Sequence, residues 1–445
     1  MHRYLFSIFA FSSIALAGDL VDGINSALKG NNIYTASIAN RNIYQAQADI
    51  AKDVMKPSIT LSTTASRQNY KTNSSSNNED TYNGHNIQAQ LKQKIFDMYA
   101  YENYKQGSIE ARKAENDLLV SQQDLLANVT FLYLDVLKSH AIYQAAQSET
   151  RALKTQKNYD ETKFKAGSIT KANLFETSAN YETAVASEIA VKNNFLDAID
   201  RYTAATKLTK PKFKDLAASM KVSKQNRLNI TAKIAILEQN NLTLKSATLK
   251  TESIKKEIEI SKSQHFPTLD LVGSYTDNYN PNSVTNAYMN AENIRIKRIE
   301  LDLNIPIYQG GAITEQTKQA NYKYEQALAN QAETRSELIT QLRQVHHHIQ
   351  NGSNQLKALE SAVKASKLSL QAQKDGYKAG TRTNLELLSA IHKLSDSESE
   401  YAITKYNYLK DIILEKKLLG SLTVNDLEIL EEKFTNKITI PVENL

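Results

Sequence analysis

The sequence contains no cysteine and very little glycine or proline. Of its 445 residues, 13 are Gly and 6 are Pro. The absence of cysteine excludes disulfides, thiol catalysis, cysteine-based metal sites and lipid attachment through cysteine. Because few residues interrupt a regular backbone, compact turn-rich folds are disfavoured and long uninterrupted elements are favoured.

Long hydrophobic runs are also missing, apart from a short one at the N-terminus. A basic start precedes an apolar run over residues 4–14, and the sequence ALA then ends at Ala17. This order predicts a secretory signal peptide over residues 1–17, with the mature chain starting at Gly18. The alternative, an N-terminal membrane anchor, is disfavoured because the run is shorter than the ~20 residues that span a bilayer. We therefore expect an exported chain that enters a membrane, if at all, as part of a β-barrel.

A concentrated block of one charge sign is absent as well. The net charge is +6 with a pI near 8.9, and the basic residues are spread along the chain rather than gathered into a tail. Neither an Arg-rich block nor a nucleic-acid recognition motif accompanies the basic pI, so we expect no nucleic-acid partner.

What is present is a repeat, because the second half of the chain carries landmarks of the first half in the same order. The paired segments are LKGNNIYTAS at Leu28 with LEQNNLTLKS at Leu237, MKPSITLS at Met55 with HFPTLDLV at His265, QKIFDM at Gln93 with NIPIYQGG at Asn304, and KFKAGSIT at Lys163 with GYKAGTRT at Gly376. One long repeat per half indicates a tandem duplication rather than a solenoid, whose periods are about 20 to 50 residues.

Each repeat begins with a predicted helix of about 25 to 35 residues and continues into a predicted β-hairpin. The helices are expected to end before Pro57 and Pro267, because a residue preceding proline favours extended structure. The apolar faces of the strands are Ile59, Leu61, Thr63 and Ala65, then Leu269, Leu271 and Gly273, then Ile299, Leu301, Leu303 and Ile305. This alternation is the period-two signal of strands. An isolated soluble hairpin is the alternative, but four strands of roughly ten residues in an exported chain fit part of a transmembrane barrel better.

Long helical hairpins follow the strands. Residues 99–165 and 312–378 contain no proline and are rich in Ala, Gln, Glu, Lys and Leu. At ~1.5 Å per residue each would form a helix about 100 Å long. Apolar positions in a 4-3-4 rhythm predict that these helices pack as coiled coils. Gly167 and Gly380, 213 residues apart, are expected to reverse the chain, because glycine accepts the left-handed conformation that ends a helix.

The strand count also predicts an oligomer. Four strands cannot enclose a lumen, since the smallest transmembrane barrels have about eight. Three copies would supply twelve strands and six helical hairpins, which suffice for a barrel continued by a helical cylinder.

At this point the chain resembles the TolC family of outer-membrane efflux and secretion channel proteins over nearly all of its mature length. The motifs that carry the resemblance are IFDM at Ile95, FPTLDL at Phe266, PIYQGG at Pro306, KQANY at Lys318, YKAGTRT at Tyr377 and KYNYLKD at Lys405. The resemblance implies a mainly α fold with a β-barrel part. In it, long α-helical hairpins form a periplasmic tunnel, and each chain contributes four strands to a trimeric, twelve-stranded transmembrane barrel.

The resemblance and the repeat together predict how the chain is divided. The divisions are a signal peptide over 1–17, a first repeat over 18–208 with a β-hairpin at 58–95 and a turn near 167, an equatorial linker over 209–227, a second repeat over 228–420 with a β-hairpin at 268–308 and a turn near 380, and a C-terminal equatorial tail over 421–445.

The resemblance also implies a gate near the second turn. The Tyr and Arg that hold the family's periplasmic tip closed match Tyr377 and Arg382. The Asp that normally pairs with this Arg is replaced by Asn173, so the latch lacks the charge-assisted part of an ion pair. Two lumen-facing Asp positions of the family are Glu386 and Ser389 here, so a trimer would carry a ring of three Glu386 carboxylates. The other reading places Arg382 and Glu386 on a solvated surface.

Catalytic and metal sites are not predicted. The run His346-His347-His348 is read as a solvated helix face, because adjacent helix residues point in different directions and do not converge on one ion. The chain has no nucleophile elbow, P-loop or GxGxxG motif. We therefore expect no enzyme activity and no cofactor.

The predicted function is a passive outer-membrane channel that extends into the periplasm and serves as the exit duct of a tripartite efflux pump or a type I secretion system. Its implied partners are two further copies of the chain, a periplasmic adaptor, an inner-membrane transporter and outer-membrane lipid. One alternative is a periplasmic coiled-coil adaptor, which would share the helical hairpins but not the two matched strand pairs; an envelope hydrolase is a third. The cargo, whether drug, metal ion or polypeptide, stays open.

Overall fold

The computed structural model describes residues 19–72, 78–209, 211–216, 229–280 and 293–438. The predicted signal peptide, most of the linker over 209–227, the tips of both β-hairpins and residues 439–445 lie outside this set. Within the described ranges, none of the helices combines the length and the apolar character needed to cross a membrane.

The chain forms long helices and few strands, and the predicted fold class is confirmed. The helices are α1 Asp19–Gly30, α2 Asn32–Asp53, α3 Met98–Lys165, α4 Lys171–Thr206, α5 Ile230–Asn240, α6 Leu242–Ser263, α7 Ala312–Lys378, α8 Asn384–Leu418 and α9 Val424–Glu431. The strands are β1 Ser58–Thr72, β2 Asn78–Asp97, β3 Lys214–Leu216, β4 Thr268–Tyr279, β5 Asn293–Asn304 and β6 Phe434–Lys437. These elements divide between two compact units. Unit 1 takes its described residues from Met1–Ser37, Leu118–Leu242 and Arg335–Leu445, and unit 2 from Ile38–Asp117 and Thr243–Thr334.

Unit 2 contains one antiparallel sheet with strand order β1-β2-β4-β5. The register brings the predicted apolar positions together, since Ile59 lies opposite Leu91, and Leu271 opposite Leu301. This apolar face is exposed in the single chain: Ile59 is 76% exposed and Ile299 is 85% exposed. Among the residues that the structure describes, none covers this apolar face, and an exposed apolar face of this size is typical of a contact surface.

The first helix of each repeat differs from the prediction, because it is broken into two pieces. The breaks fall at Asn31, between α1 and α2, and at Asn241, between α5 and α6. The Asn31 side-chain amide donates to the carbonyl of Ala205 at 3.2 Å, and the Asn241 amide donates to the carbonyl of Leu418 at 2.9 Å. Each asparagine therefore satisfies a carbonyl in the last turn of α4 or α8, where helix carbonyls lack partners. The duplicated NN dipeptide is the signal of this break.

The core of unit 1 surrounds a small two-stranded sheet that the sequence did not predict. Strand β3 pairs antiparallel with β6, so the described parts of the linker and of the C-terminal tail lie side by side. The Tyr133 hydroxyl donates to the carbonyl of Lys214 at 3.1 Å and accepts from its N–H at 2.9 Å. Tyr406 donates to the carboxylate of Asp215 at 2.5 Å. Two fully buried tyrosines thus fix β3 against the long helices.

A buried ion pair connects α5, α7 and α8 in the same unit. Lys233 Nζ lies 2.5 Å from Glu415 Oε1 and 3.3 Å from His346 Nδ1. Burial, together with the neighbouring Lys233 ammonium, lowers the pKa of His346. The neutral imidazole therefore accepts a hydrogen bond from Lys233 through Nδ1. His346 is buried rather than solvated, which corrects the interpretation of the His346-His347-His348 run as a wholly solvated face.

Lys207 and Gly420 hold equivalent places in the two repeats, and this predicts a stabilising substitution. Both have left-handed backbones, with φ of 61° at Lys207 and 69° at Gly420. We expect Lys207→Gly to raise the free energy of unfolding by about 0.5–1 kcal/mol, because left-handed strain of about 1–2 kcal/mol is relieved at some cost in unfolded-state entropy. Urea denaturation of the purified wild-type and variant chains measures this change in the free energy of unfolding.

Gly420→Ala is the matched control. A Cβ at position 420 would lie 2.3 Å from the Asn240 carbonyl oxygen, so this variant should be destabilised. The proposed strain at Lys207 is refuted if Lys207→Gly also lowers the urea midpoint.

Candidate functional site

The two helical hairpins turn at Gly167 and Gly380 with the same backbone geometry. Their φ values are +71° and +74°, in the left-handed region that favours glycine. In the first turn Ser168 N–H bonds to the Lys163 carbonyl at 2.8 Å and Gly167 N–H to that of Phe164 at 2.9 Å. The second turn repeats this pair of bonds, which define a Schellman motif.

The helices that leave the turns both begin at a threonine. Thr170 caps α4 by accepting the N–H of Asn173, and Thr383 caps α8 in a full capping box with Glu386. The Glu386 carboxylate accepts from the Thr383 N–H at 2.8 Å and from Arg382 Nη1 at 2.9 Å. These bonds, the backbone one first, hold the pKa of Glu386 below its usual range. Within one chain, Glu386 therefore caps α8, and its side chain stays partly exposed to solvent.

The predicted gate residues all lie near these turns, although one expected contact is not made within the chain. Arg382 bonds to Glu386, one helical turn away, and not to the side chain of Asn173. The group that reaches Asn173 is Asn384, whose amide donates to the Asn173 carbonyl at 3.4 Å. Ser389 is exposed. A contact between Arg382 and Asn173 of a neighbouring copy stays a prediction.

Tyr377 is buried and donates a hydrogen bond to a residue that sequence reasoning missed. Its hydroxyl lies 2.8 Å from Asp160 Oδ1, on α3. Asp160 is fully buried and also accepts from Gln156 at 2.8 Å and from Thr177 at 2.7 Å. Asn384 in turn donates to Thr177 at 2.9 Å. This Asp160 network therefore connects α3, α4, α7 and α8 beside the two turns.

The charge state of Tyr377 suits its role as a donor. Burial first, and then the hydrogen bond and charge of Asp160, raise the pKa of the Tyr377 phenol. The phenol is therefore protonated throughout the physiological range. Lys163 Nζ lies 4.8 Å from the centroid of the Tyr377 ring and 5.0 Å from that of Tyr159, within the range of cation–π attraction.

The signal for Asp160 was present in the sequence. Leu153, Gln156 and Asp160 follow the spacing of a buried helix seam, and all three are buried. An acidic residue on such a seam must be hydrogen-bonded or paired, because a buried unpaired carboxylate is very unfavourable. That rule predicts donors around Asp160, although it does not identify them.

A second polar contact holds the same helices further from the turns. His392 on α8 contacts Glu149 of α3 through Nδ1 at 2.5 Å and Asn180 of α4 through Nε2 at 3.0 Å. This contact and the Asp160 network lie at the same end of unit 1, and both connect α3, α4 and α8. In the described part of the chain, no cluster of His, Asp and Glu side chains is arranged to hold a metal ion.

The comparison with protein families matches the chain in both repeats. The model described as outer membrane efflux protein matches residues 23–206 and 234–420, most of the chain. The first stretch ends at the last residue of α4, and the second extends two residues beyond α8.

Named relatives are similar over almost the whole length. The chain is 26% identical to the outer membrane protein TolC of Escherichia coli K12, over 99% of this chain and 90% of that protein. It is 22% identical to the alkaline protease secretion protein AprF of Pseudomonas aeruginosa, over 95% of this chain and 88% of that protein.

Solved structures share the fold. The outer membrane channel CmeC of Campylobacter jejuni superposes with a TM-score of 0.78 at 15% identity, over 98% of both chains. The open state of the Neisseria gonorrhoeae channel MtrE superposes with a TM-score of 0.73 at 16% identity, over 92% of this chain and 90% of that one. The match of both repeats to one family model and the shared fold lead to one assignment: the chain belongs to the outer membrane efflux protein family.

Proposed function

We propose that the protein is the outer-membrane exit duct of a tripartite efflux pump or a type I secretion system, and that it conducts substrates passively. The observation that carries the proposal is the pairing, in each repeat, of a long helical hairpin with a two-strand contribution to a sheet whose apolar face is exposed. Relatives named for efflux and for protease secretion support the two kinds of system. Transport of this kind requires no catalytic residue, and we propose no enzyme activity.

The duct is proposed to be a homotrimer. Four strands per chain would give twelve strands in a closed barrel, whose apolar outer face would contact outer-membrane lipid. The long hairpins would extend into the periplasm and meet a periplasmic adaptor and an inner-membrane transporter. The coiled-coil adaptor alternative is disfavoured because its function needs no sheet with an exposed apolar face.

The gate of this duct is proposed to lie at the hairpin turns. Tyr377 and the Asp160 network would hold the hairpins of one chain together, while Arg382 and Glu386 would remain available at the surface. In a trimer, contact of Arg382 with Asn173 of a neighbouring copy would compete with its bond to Glu386.

The experiment that tests the proposal combines mass and conductance. The full-length chain is expected to require detergent for extraction, to have the mass of a trimer in mild detergent and to form channels in planar bilayers. The two measurements test separate parts of the proposal: the mass tests the trimeric assembly, and the conductance tests whether the assembly forms a channel. A stable water-soluble monomer without conductance would refute the proposal.

A further inference from the structure

The apolar face of the four-stranded sheet changes in character toward the hairpin tips. Among the residues that the structure describes, the half of this face nearest the helices carries only uncharged side chains, such as Ile299 and Leu301. Closer to the tips the same face carries Arg67 on β1 and Arg295 and Lys297 on β5, and all three are exposed. Each shares the alternation of the apolar positions of its own strand. Cations therefore border the apolar surface on the side of the tips.

The three cations lie at similar heights on the sheet. Arg67 comes nine residues after Ser58, where β1 begins, and Arg295 comes nine residues before Asn304, where β5 ends. Both of these strand ends adjoin the helices. At ~3.4 Å per residue and a tilt of ~40°, nine residues give a height of about 23 Å, close to the ~25 Å apolar band of outer-membrane barrels. Lys297 starts about 5 Å lower, a distance that its long side chain can span.

The acids of this face do not cancel the cations. Asp277 is the one acid among the side chains that the structure describes on this face, and it pairs with Arg295 at 3.1 Å. The other two cations have no ion-pair partner within the described ranges. The next charged pair in the register toward the tip, Lys71 with Glu79, is neutral in sum. Positive charges without partners at the edge of an apolar surface attract anionic groups.

A tyrosine and a gap in the apolar face lie beside Lys297. Tyr275 is directly opposite Lys297 in the β4–β5 register, and tyrosines are enriched at membrane–water interfaces. The next pair of this face toward the helices joins Gly273 with Ile299, and a Cβ built on Gly273 would meet no atom within 4 Å. Gly273 therefore leaves a gap between apolar side chains, on the helix side of the cations, that an acyl chain can fill.

We propose that Arg295 and Lys297 of one copy, together with Arg67 of the next copy, bind the phosphate groups of a lipid in the outward-facing leaflet of the outer membrane. This inference rests on the proposed function, because β1 and β5 are the two edges of the sheet and meet only where neighbouring copies close the barrel. Phosphate oxygens accept charge-assisted hydrogen bonds from arginine and lysine. The acyl chains of the same lipid cover Gly273 and the apolar face.

A lipid fits this surface better than a free anion does. Lys297 and Ile299 are two residues apart on one face, about 7 Å along the strand, so a phosphate and its acyl chains meet both kinds of side chain at once. Basic residues near a membrane surface each strengthen the binding of anionic lipid. Because the helices join the sheet at the end away from the tips and extend into the periplasm, these cations face the outer leaflet.

The test measures lipid binding to the full-length chain by native mass spectrometry in mild detergent. The probes are diphosphorylated lipid A, the same lipid with both phosphates removed, and inorganic phosphate. The test variant is Arg295→Gln/Lys297→Gln. The control variant is Lys92→Gln/Arg298→Gln, which also removes one lysine and one arginine, at the alternate positions of the same sheet. Each variant also removes the ion-pair partner of one aspartate.

We expect the wild-type trimer to bind the diphosphorylated lipid, and to bind the dephosphorylated lipid about tenfold or more weakly. The test variant should bind the diphosphorylated lipid about tenfold or more weakly than wild type, and the control variant should bind it like wild type. Arg67→Gln should also weaken binding, because it removes the cation of the neighbouring copy. Gly273→Leu should weaken binding without changing the charge, because leucine fills the gap.

Four results would overturn the inference. They are equal binding by the test and control variants, equal binding of the two forms of the lipid, wild-type affinity in Arg67→Gln, and displacement of the lipid by inorganic phosphate.

Mass and conductance separate this inference from the function on which it rests. All variants are expected to keep the mass of a trimer, which shows that they fold, and the variants of the apolar face are expected to conduct in planar bilayers like wild type. A conducting trimer whose lipid binding ignores the cations would overturn the lipid site and leave the duct intact. A wild-type chain that forms neither a trimer nor a channel would overturn the duct itself.

Discussion

Replacing Lys233 with alanine is expected to lower the free energy of unfolding by about 3–5 kcal/mol. The Lys233 and Glu415 side chains are only 7% and 9% exposed, and they pair at 2.5 Å. Removing the ammonium leaves the Glu415 carboxylate buried without its cation, and this is the main source of the cost. Urea denaturation of the purified chain in detergent gives the free energy.

Two further variants show whether loss of the Lys233–Glu415 ion pair causes the loss of stability in Lys233→Ala. Lys364→Ala removes an ammonium from an exposed pair with Glu360 in the same unit, and should cost less than about 1 kcal/mol. Replacing both buried partners with apolar residues, in Lys233→Met/Glu415→Leu, should recover most of the stability because no buried charge remains. If Lys233→Ala costs no more than Lys364→Ala, the buried pair does not hold α5 to α7 and α8.

The sequence was sufficient to predict those helices, strands and turns whose sequence pattern is local and occurs in both repeats. The proline-free stretches predicted α3 and α7 to within one residue at the start, and the alternation around Leu301 predicted β5. Gly167 and Gly380 were recognisable because a left-handed turn restricts the residue type. Duplication strengthened each of these predictions, since every landmark appeared twice.

Contacts between distant residues were not predictable in the same way. The break at Asn31 depends on a carbonyl of α4, more than 170 residues later in the chain. The β3–β6 pair joins segments more than 200 residues apart, and neither strand is long enough to show alternation. Asp160 was missed because its position on a buried seam shows only that it needs donors, and the sequence does not show that Thr177 and Tyr377 supply them. Local periodicity predicts helices and strands, but a polar network requires their packing.

Tyr377→Phe is expected to shift the duct toward its open state, with higher single-channel conductance in planar bilayers. The Tyr377 hydroxyl donates to a fully buried carboxylate, and hydrogen bonds to charged groups contribute about 1.5–3 kcal/mol. Losing it would change the closed-to-open ratio by roughly 10- to 100-fold if the bond exists only in the closed state. Asp160→Ala should have a larger effect, because it also removes the acceptor of the Gln156 amide and one of the two acceptors of the Thr177 hydroxyl.

Tyr159→Phe is the matched control for this prediction. Tyr159 packs edge-on against Tyr377, with ring centroids 6.2 Å apart, so the variant makes the same chemical change beside the network. A double-mutant cycle between Tyr377→Phe and Asp160→Ala should show a coupling of about 0.5–3 kcal/mol, as expected for residues in direct contact. Equal conductance of the Tyr159 and Tyr377 variants would contradict a role for the hydroxyl.

Asn173→Asp then shows which of two contacts holds the duct closed: a contact between Arg382 and position 173 of a neighbouring copy, or the Asp160 network within one chain. If Arg382 reaches position 173 of a neighbouring copy, the new carboxylate would form a charge-assisted bond and lower the conductance. If the Asp160 network is the principal latch, Asn173→Asp should change conductance much less than Tyr377→Phe does. We expect the second result, because Arg382 already has a partner in Glu386 and Asn173 contacts the second hairpin through its backbone carbonyl. A strong decrease in conductance in Asn173→Asp would instead assign the closed state to the contact between copies.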